Sequence, residues 1–460
     1  MTATGPRTPP HQGAVGDPAA RRMAAAARAL DASALPAAVV AKAKLCLRDL
    51  IGCACESREL PWAVQARGLA TPVTGGASII GHAGGASAGD AAFANAVMGH
   101  GLVREDMHPG SISHLGIVVL PSVLALAEKA PATGAELIAA IVVGYEIGGQ
   151  LGRAVMDASV ARIHRPTGVT GPVAGAAAGA RLRGLDEDAF TSALALAANT
   201  SAGFNQWAWT GGSEMFFQAG SAARNAVTAV ELAAAGAFGS PSAIEGRAGL
   251  CTALGKPDAG DRMQPFAGTH EILCVYHKAV PACNFAQTPA LAALQIVREA
   301  APEPARIAAI TVRVPQAGAS YPGCDASGPW ANVLQGKMSI QFNVAAALAR
   351  GEITERNFTG LDDADIARLV ALTTLEVDDA LSAAYPELQG GEVVITLDDG
   401  ARHGVRLDDV VHATDTEVES RFRAAVTETF GAARAQAIDA AIDALDTLPD
   451  AGALARLLRK

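Results

Sequence analysis

Residues 307–314 read Ile-Ala-Ala-Ile-Thr-Val-Arg-Val. Apolar and β-branched side chains alternate there with period two, the pattern of a half-buried strand. Upstream the period differs. Over residues 1–255 apolar side chains recur at helical spacing, as in Val39, Val40, Leu45, Leu47, Leu50 and Ile51, after a helix start at Ser33 and Pro36. Thr133-Gly-Ala-Glu136 reads as a capping box ahead of Leu137–Ile147, and Asp186 as the cap of the run through Phe190, Leu194 and Leu196. Gly-rich breaks at 75–85, 168–179 and 211–212 separate the helical runs. Downstream of 314, Glu392–Leu397 and Ala401–Leu407 read as two strands joined by Asp398-Asp399-Gly400, a tight-turn sequence. Helices at 339–349 and 362–371 lie between, and the helical period returns from Glu417 to Leu458. The expected fold is therefore mainly α with an inserted α+β domain. A disordered tail covers 1–17, a large all-helical domain 18–265, a smaller α+β lid domain 266–409, and a C-terminal helical return 410–460.

Composition narrows the function. The 460 residues are 50% hydrophobic, 18% charged and only 4% aromatic, with a net charge of −10. That is a globular composition, and its acidity disfavours nucleic acid or an anionic membrane surface as partner. The apolar half is mostly alanine, with Val and Leu, which predicts closely packed helices. No stretch reaches the roughly 18 apolar residues of a membrane span. The best candidate, Leu115 to Ala127, is short and contains Pro121. Residues 1–17 lack the apolar block of a signal peptide, so a cytoplasmic location is expected. Seven thinly spread cysteines suit a reducing compartment, and Cys53-x-Cys55 has no second pair to complete a zinc or iron–sulfur site.

Four polar clusters interrupt the apolar pattern. Arg104-Glu-Asp-Met-His108-Pro-Gly-Ser-Ile-Ser-His114-Leu-Gly116 brings two imidazoles and two carboxylates onto a turn between apolar helices. Histidine suits proton transfer near neutral pH, and the six-residue spacing of His108 and His114 is not that of a helical metal pair. The same residues also describe an ordinary solvated loop. Arg162-Ile-His164-Arg165-Pro-Thr-Gly168 reads as an anion-binding helix entry or as a helix N-terminus with surface basics. In Lys278-Ala-Val-Pro-Ala-Cys283-Asn-Phe-Ala-Gln287, the cysteine reads either as a nucleophile or as a small buried apolar residue. Finally, Tyr321-Pro-Gly precedes Lys337, which is read as opening an apolar helix. A cation opposes the dipole there, and an anionic substrate would explain it. No dinucleotide fingerprint, Walker A loop, nucleophile elbow or zinc-peptidase motif occurs.

In order and spacing, several segments resemble the MmgE/PrpD family. They are Ser78-Ile-Ile-Gly81, Ala91-Ala-Phe-Ala-Asn95 with His100, Glu105-Asp106, His108-Pro-Gly, His114, Pro166-Thr-Gly168, Ala282-Cys283 and Gly336-Lys337-Met-Ser339. That family includes 2-methylcitrate dehydratase, cis-aconitate decarboxylase and iminodisuccinate epimerase. The resemblance implies a homodimer, a site in the cleft between helical domain and lid, and no metal or organic cofactor. It implies proton removal next to a carboxylate, followed by loss of water, loss of CO₂, or reprotonation. The chain departs from the family pattern at Val103 and Met107, where Asp and Thr are usual, and at Arg165, where a histidine is expected with His164 one residue back. A family lysine falls at Glu214 or Met215, and a histidine at Gln287.

The resulting expectation is a cofactor-independent lyase for a small di- or tricarboxylate, with dehydration as the first reading. Arg104, Arg165, Lys278, Lys337 and Gln287 would hold the substrate. His114 would be the base or acid, Asp106 and His108 would orient or relay, His164 would stand by the family histidine position, and Tyr321 would assist the leaving group. An epimerase or isomerase, a decarboxylase, and a non-catalytic carboxylate-binding homologue are the alternatives.

Overall fold

The computed structural model describes residues 17–460, so the tail expected at 1–17 lies outside the described residues apart from Asp17. The helical part is organised around the helix Pro166–Leu182, which is buried along nearly its whole length and takes in residues 168–179, so the glycines read above as a break are helical and serve close packing instead. It packs against Gly116–Ala127, Gly134–Val155, Glu187–Ala198 and Glu214–Ala234. Small residues make that possible. A Cβ built on Gly175 would stand 2.7 Å from the Ala226 Cβ and 3.1 Å from the Ser122 Oγ, and Gly171 and Gly179 on the same face meet Val118 and Leu126 as closely. Both expected caps are present. Thr133 and Glu136 form the reciprocal box, and Asp186 accepts from the Ala189 N–H. Pro36 itself precedes the helix Ala37–Ser57, while Ser33 bonds Asp31 in a separate short turn.

The α+β part carries a four-stranded sheet. The strand Ile307–Val314 pairs antiparallel with Gly391–Leu397, putting Ile310 opposite Ile395 and Val312 opposite Val393. Gly391–Leu397 continues through the Asp398-Asp399-Gly400 turn into Arg402–Leu407, with Gly400 at φ +85°. The buried face, including Ile310, Val312, Val393 and Ile395, lies under the helix Asn284–Ala300. A fourth strand, Thr373–Val377, adds in parallel at the edge. A two-stranded ribbon, Pro72–Ser78 with Gly85–Ala86, occupies part of the segment read above as a Gly-rich break. The helix Asp415–Phe430 returns to pack on Ala37–Ser57. Among the described residues no helix is long and apolar enough to cross a membrane.

Because the central helix has no room for a larger side chain, Gly175→Val should overpack it. A loss of about 1–3 kcal/mol is expected, read as a lower urea midpoint with an unchanged m-value. An undiminished midpoint would show that the helices separate freely here.

Candidate active site

A cavity of about 730 Å³ opens where the two parts meet. Its walls come from the first loop (Val103 to His114), the helix entry at Arg165, the segment from Cys274 to Phe285, and Tyr321. A second cavity, about 1000 Å³, is walled by Trp62, Trp330 and Phe358, and its only titratable lining residues are Glu355 and Asp362.

Behind the wall of the first cavity lies Glu105, which is 1% exposed and in contact with the lining residue His114. Its Oε1 lies 2.6 Å from the His100 Nδ1 and 3.0 Å from the His114 Nδ1. An arginine only donates, so the Arg165 Nη2, 2.9 Å from the His100 Nε2, makes that nitrogen an acceptor. His100 therefore carries its proton on Nδ1 and donates it to Glu105. The His114 Nδ1 also lies 3.0 Å from the Asp106 carbonyl oxygen, so both its neighbours are acceptors and it too is protonated on Nδ1. The His114 Nε2 is left with a bare lone pair, and His114 lines the cavity. Burial and the nearby Lys278 push the His114 imidazole down to about 3, against the pull of Glu105. His100 is lowered by burial as well. Burial works against the Glu105 charge, but His100, His114 and Lys278 outweigh it and hold that carboxyl well below the usual range.

Lys278 is fully buried, lines the cavity, and has only the Ala282 carbonyl as partner, at 3.4 Å. Burial lowers its ammonium. Glu105 offsets part of the cost of burying this cation without bonding it, and an anion brought into the cavity would offset more. The Arg165 guanidinium lies 5.6 Å from the centre of the Trp207 ring. Tyr321 completes this end, and burial raises its phenol to about 12, so it remains protonated at neutral pH. Cys283 lines the cavity with its Sγ 3.6 Å from that of Cys324. Met215, rather than the exposed Glu214, faces the cavity where the resemblance expects a lysine.

Four expected site residues stand elsewhere. Arg104 is paired through both terminal nitrogens with Glu56 and does not line the cavity. Lys337 does not open a helix. It sits in the last turn of Val333–Met338, where the dipole favours a cation, and its ammonium bonds Glu355 at 2.6 Å and the carbonyls of Leu102 and Pro281. The apolar helix Ile340–Arg350 starts after it, capped by Ser339. Gln287 is spent on the backbone of Val280 and Ala282, holding the turn beyond Lys278. His164 packs its ring 5.7 Å from Phe204, and the neighbouring Arg165 enters the cavity instead.

Asp106 and His108 support the loop from behind. Asp106 accepts from Tyr145 and from the Gly116 N–H. A Cβ at Gly116 would fall 2.4 Å from the Tyr145 hydroxyl, so only glycine fits. The His108 Nε2 bonds Glu271 at 2.7 Å. Sequence reasoning passed over Glu271, which is 163 residues from His108 and belongs to no motif. His108, Glu271 and Cys274 have ligand atoms within 4.8 Å of one another. The Arg153 Nε already donates to both Glu271 oxygens at 2.9 Å, however, so a guanidinium occupies the place of a metal's charge.

A helical body and an α+β unit thus meet at one cavity, lined by a buried imidazole, lysine and arginine. The chain belongs to the MmgE/PrpD family: the family model of the N-terminal domain matches residues 21–261 and that of the C-terminal domain residues 280–447. It is 27% identical to the cis-aconitate decarboxylase-like protein oryM of Aspergillus oryzae, over 93% of this chain and 95% of that protein. It is 32% identical to the cis-aconitate decarboxylase of Aspergillus terreus, over 42% of this chain and 40% of that protein. The family includes dehydratases and decarboxylases, which are lyases in the broad sense.

The depressed His114 gives a pH signature. Between about 3 and the ordinary imidazole value of 6.5, the unfolded chain binds a proton that the folded chain refuses. Stability from this group is complete above that window and is lost as pH falls through it, by up to about 1.4 kcal/mol per pH unit. Urea denaturation from neutral pH down to about pH 5 should show this fall, and His114→Asn should make it shallower by about one proton's worth. Identical slopes would mean that His114 is protonated in the folded state.

Proposed function

We propose that the protein is a cofactor-independent lyase for a small polycarboxylate, working by proton removal next to a carboxylate. The observation that carries the reading is the bare His114 Nε2 in a cavity also lined by Lys278, whose ammonium bonds no carboxylate. Arg165 and Lys278 bind a carboxylate of the substrate. The anion that neutralises Lys278 also raises the basicity of His114, because Lys278 is one cause of its depression. His114 Nε2 takes the proton from the carbon next to the bound carboxylate, and the enediolate charge spreads toward Lys278 and Arg165. In dehydration the electron pair then forms the carbon–carbon double bond and expels the β-hydroxyl, which leaves as water with the proton of Tyr321. The phenolate recovers its proton from His114, closing the cycle. Loss of CO₂ on the same scaffold is the second reading, favoured by the printed names of both fungal relatives. There the bond to the carboxyl carbon breaks, CO₂ leaves, and the electron pair left on the substrate carbon takes the proton of Tyr321, which the phenolate recovers from solvent.

Proton NMR in D₂O with citrate-, aconitate- and aspartate-like acids separates the outcomes. Dehydration gives a new vinyl signal, decarboxylation gives bicarbonate with a deuterated methylene, and epimerisation exchanges the α-proton without elimination. His114→Ala should lower turnover by about 10²–10⁴, and full activity in that variant would sink the assignment. Lys278→Met should abolish the thermal shift given by tricarballylate. A retained shift would place the anion elsewhere.

A further inference from the structure

The cavity wall holds a second arginine that the chemistry above does not use. Arg153 lies in the last turn of the helix Gly134–Val155 and lines the cavity, its side chain 45% exposed. Its Nε donates to both oxygens of Glu271. Glu271 is itself 3% exposed and fixed by the His108 Nε2 at 2.7 Å, by the Gln150 Nε2 at 2.9 Å, and through its N–H by Glu146 at 3.0 Å. The guanidinium lies flat on Gly110. A Cβ there would stand 2.4 Å from Nη1, 2.6 Å from Cζ and 3.0 Å from Nη2, so the backbone has been kept bare beneath it. Among the described residues no oxygen accepts from Nη1 or Nη2, and the Cys274 thiol is the other polar side chain beside the guanidinium. A surface ion pair, worth little by itself, needs neither the bare glycine nor three further residues to hold its carboxylate. An oriented fork whose terminal nitrogens bond no oxygen acceptor is the geometry that receives a carboxylate side-on.

Arg153 and Arg165 share no partner: one is held by Glu271 and Gly110, the other by His100 and Trp207. Apolar side chains, including Met107, Ile112, Met156 and Phe285, line the same cavity. A six-carbon tricarboxylate displaces on the order of 200 Å³, about seven waters' worth, which leaves most of the 730 Å³ unfilled.

We propose that Arg153 is a second anion subsite, and that the occupant of the cavity is an extended dianion with an apolar stretch between its two charged ends. The inference takes from the proposed function only that this cavity is the binding site. It assigns His108 and Glu271 as positioning residues for Arg153, acting through hydrogen bonds and away from the reacting atoms.

Isothermal titration of the full chain with straight-chain α,ω-dicarboxylates from succinate to suberate, each against its monomethyl ester, tests it. At the best-fitting length the diacid should bind roughly 10-fold tighter than its ester or more, as hydrogen bonds to a charged group allow. Arg153→Met should shrink that preference to about twofold or less, and Arg153→Lys should retain part of it. Gly110→Ala, which keeps the charge but displaces the guanidinium, should lose the preference as well. The same titration on His114→Ala should keep it, since that variant retains the fork. Equal binding of diacid and ester at every length, or a preference that survives in Arg153→Met, overturns the subsite. Binding is read without turnover, so an inactive wild type in the NMR assay would fail the lyase reading alone.

Discussion

The buried carboxylate of Glu105 is the constraint on which the rest of the site depends. Removing a charge from water costs several kcal/mol unless partners replace the lost hydration. Here two imidazole N–H groups meet one oxygen, and Lys278 adds its field. Each partner is then fixed in turn. His100 must keep its second nitrogen as an acceptor, which locks Arg165; His114 must turn its second nitrogen to the cavity. With both imidazoles neutral, Arg165 and Lys278 set two positive charges beside the one negative charge of Glu105, while Asp157, Glu387 and Asp409 line the same cavity. The chain as a whole carries −10, so the two cations beside Glu105 stand against the global charge.

How far the sequence discloses this depends on the range of each interaction. The strands Ile307–Val314 and Gly391–Leu397 are legible because one face is buried and the other is not, which writes a period of two. Thr373–Val377 is not legible. It lies at the sheet edge with little of either face buried, so no alternation is imposed on it. In the site, His114, Arg165, Lys278 and Tyr321 stand out by residue type and neighbours. Arg104 and Lys337 stand out equally, yet each is neutralised by an acid brought in from elsewhere in the chain, Glu56 and Glu355. A charged residue in a motif looks the same on paper whether its partner is a substrate or a distant carboxylate. Likewise His164 and Arg165 differ only in which of them the start of the helix Pro166–Leu182 turns inward. Glu271 and Gly110 gain their meaning from Arg153, whose distance from them in the chain hides the link.

The helical body matters to the site through fit rather than chemistry. Glycines along Pro166–Leu182 let neighbouring helices approach to backbone range, and Gly116 does the same where the first loop ends. The helix entry that carries Arg165 and the loop that carries His114 are thereby held against one another: the Thr167 hydroxyl accepts the His114 N–H at 3.0 Å. An alanine-rich composition, uninformative about reaction type, sets the tolerance to which the acid–base groups are placed.

Met107 and Tyr276 exchange both backbone hydrogen bonds, at 2.8 and 3.0 Å. Two residues on, Arg421 of the C-terminal return holds the Lys278 carbonyl at 2.8 Å, and Ala413 holds that of His277 at 2.9 Å. The loop bearing the imidazole and the segment bearing the ammonium therefore form one short ribbon riveted at both edges. Phe285, Tyr321 and Tyr385 line the same cavity and rest on one another through ring contacts of 5.4 and 5.8 Å. The spacing of base and cation is thus set by backbone hydrogen bonds and is independent of the aromatic side chains that face them.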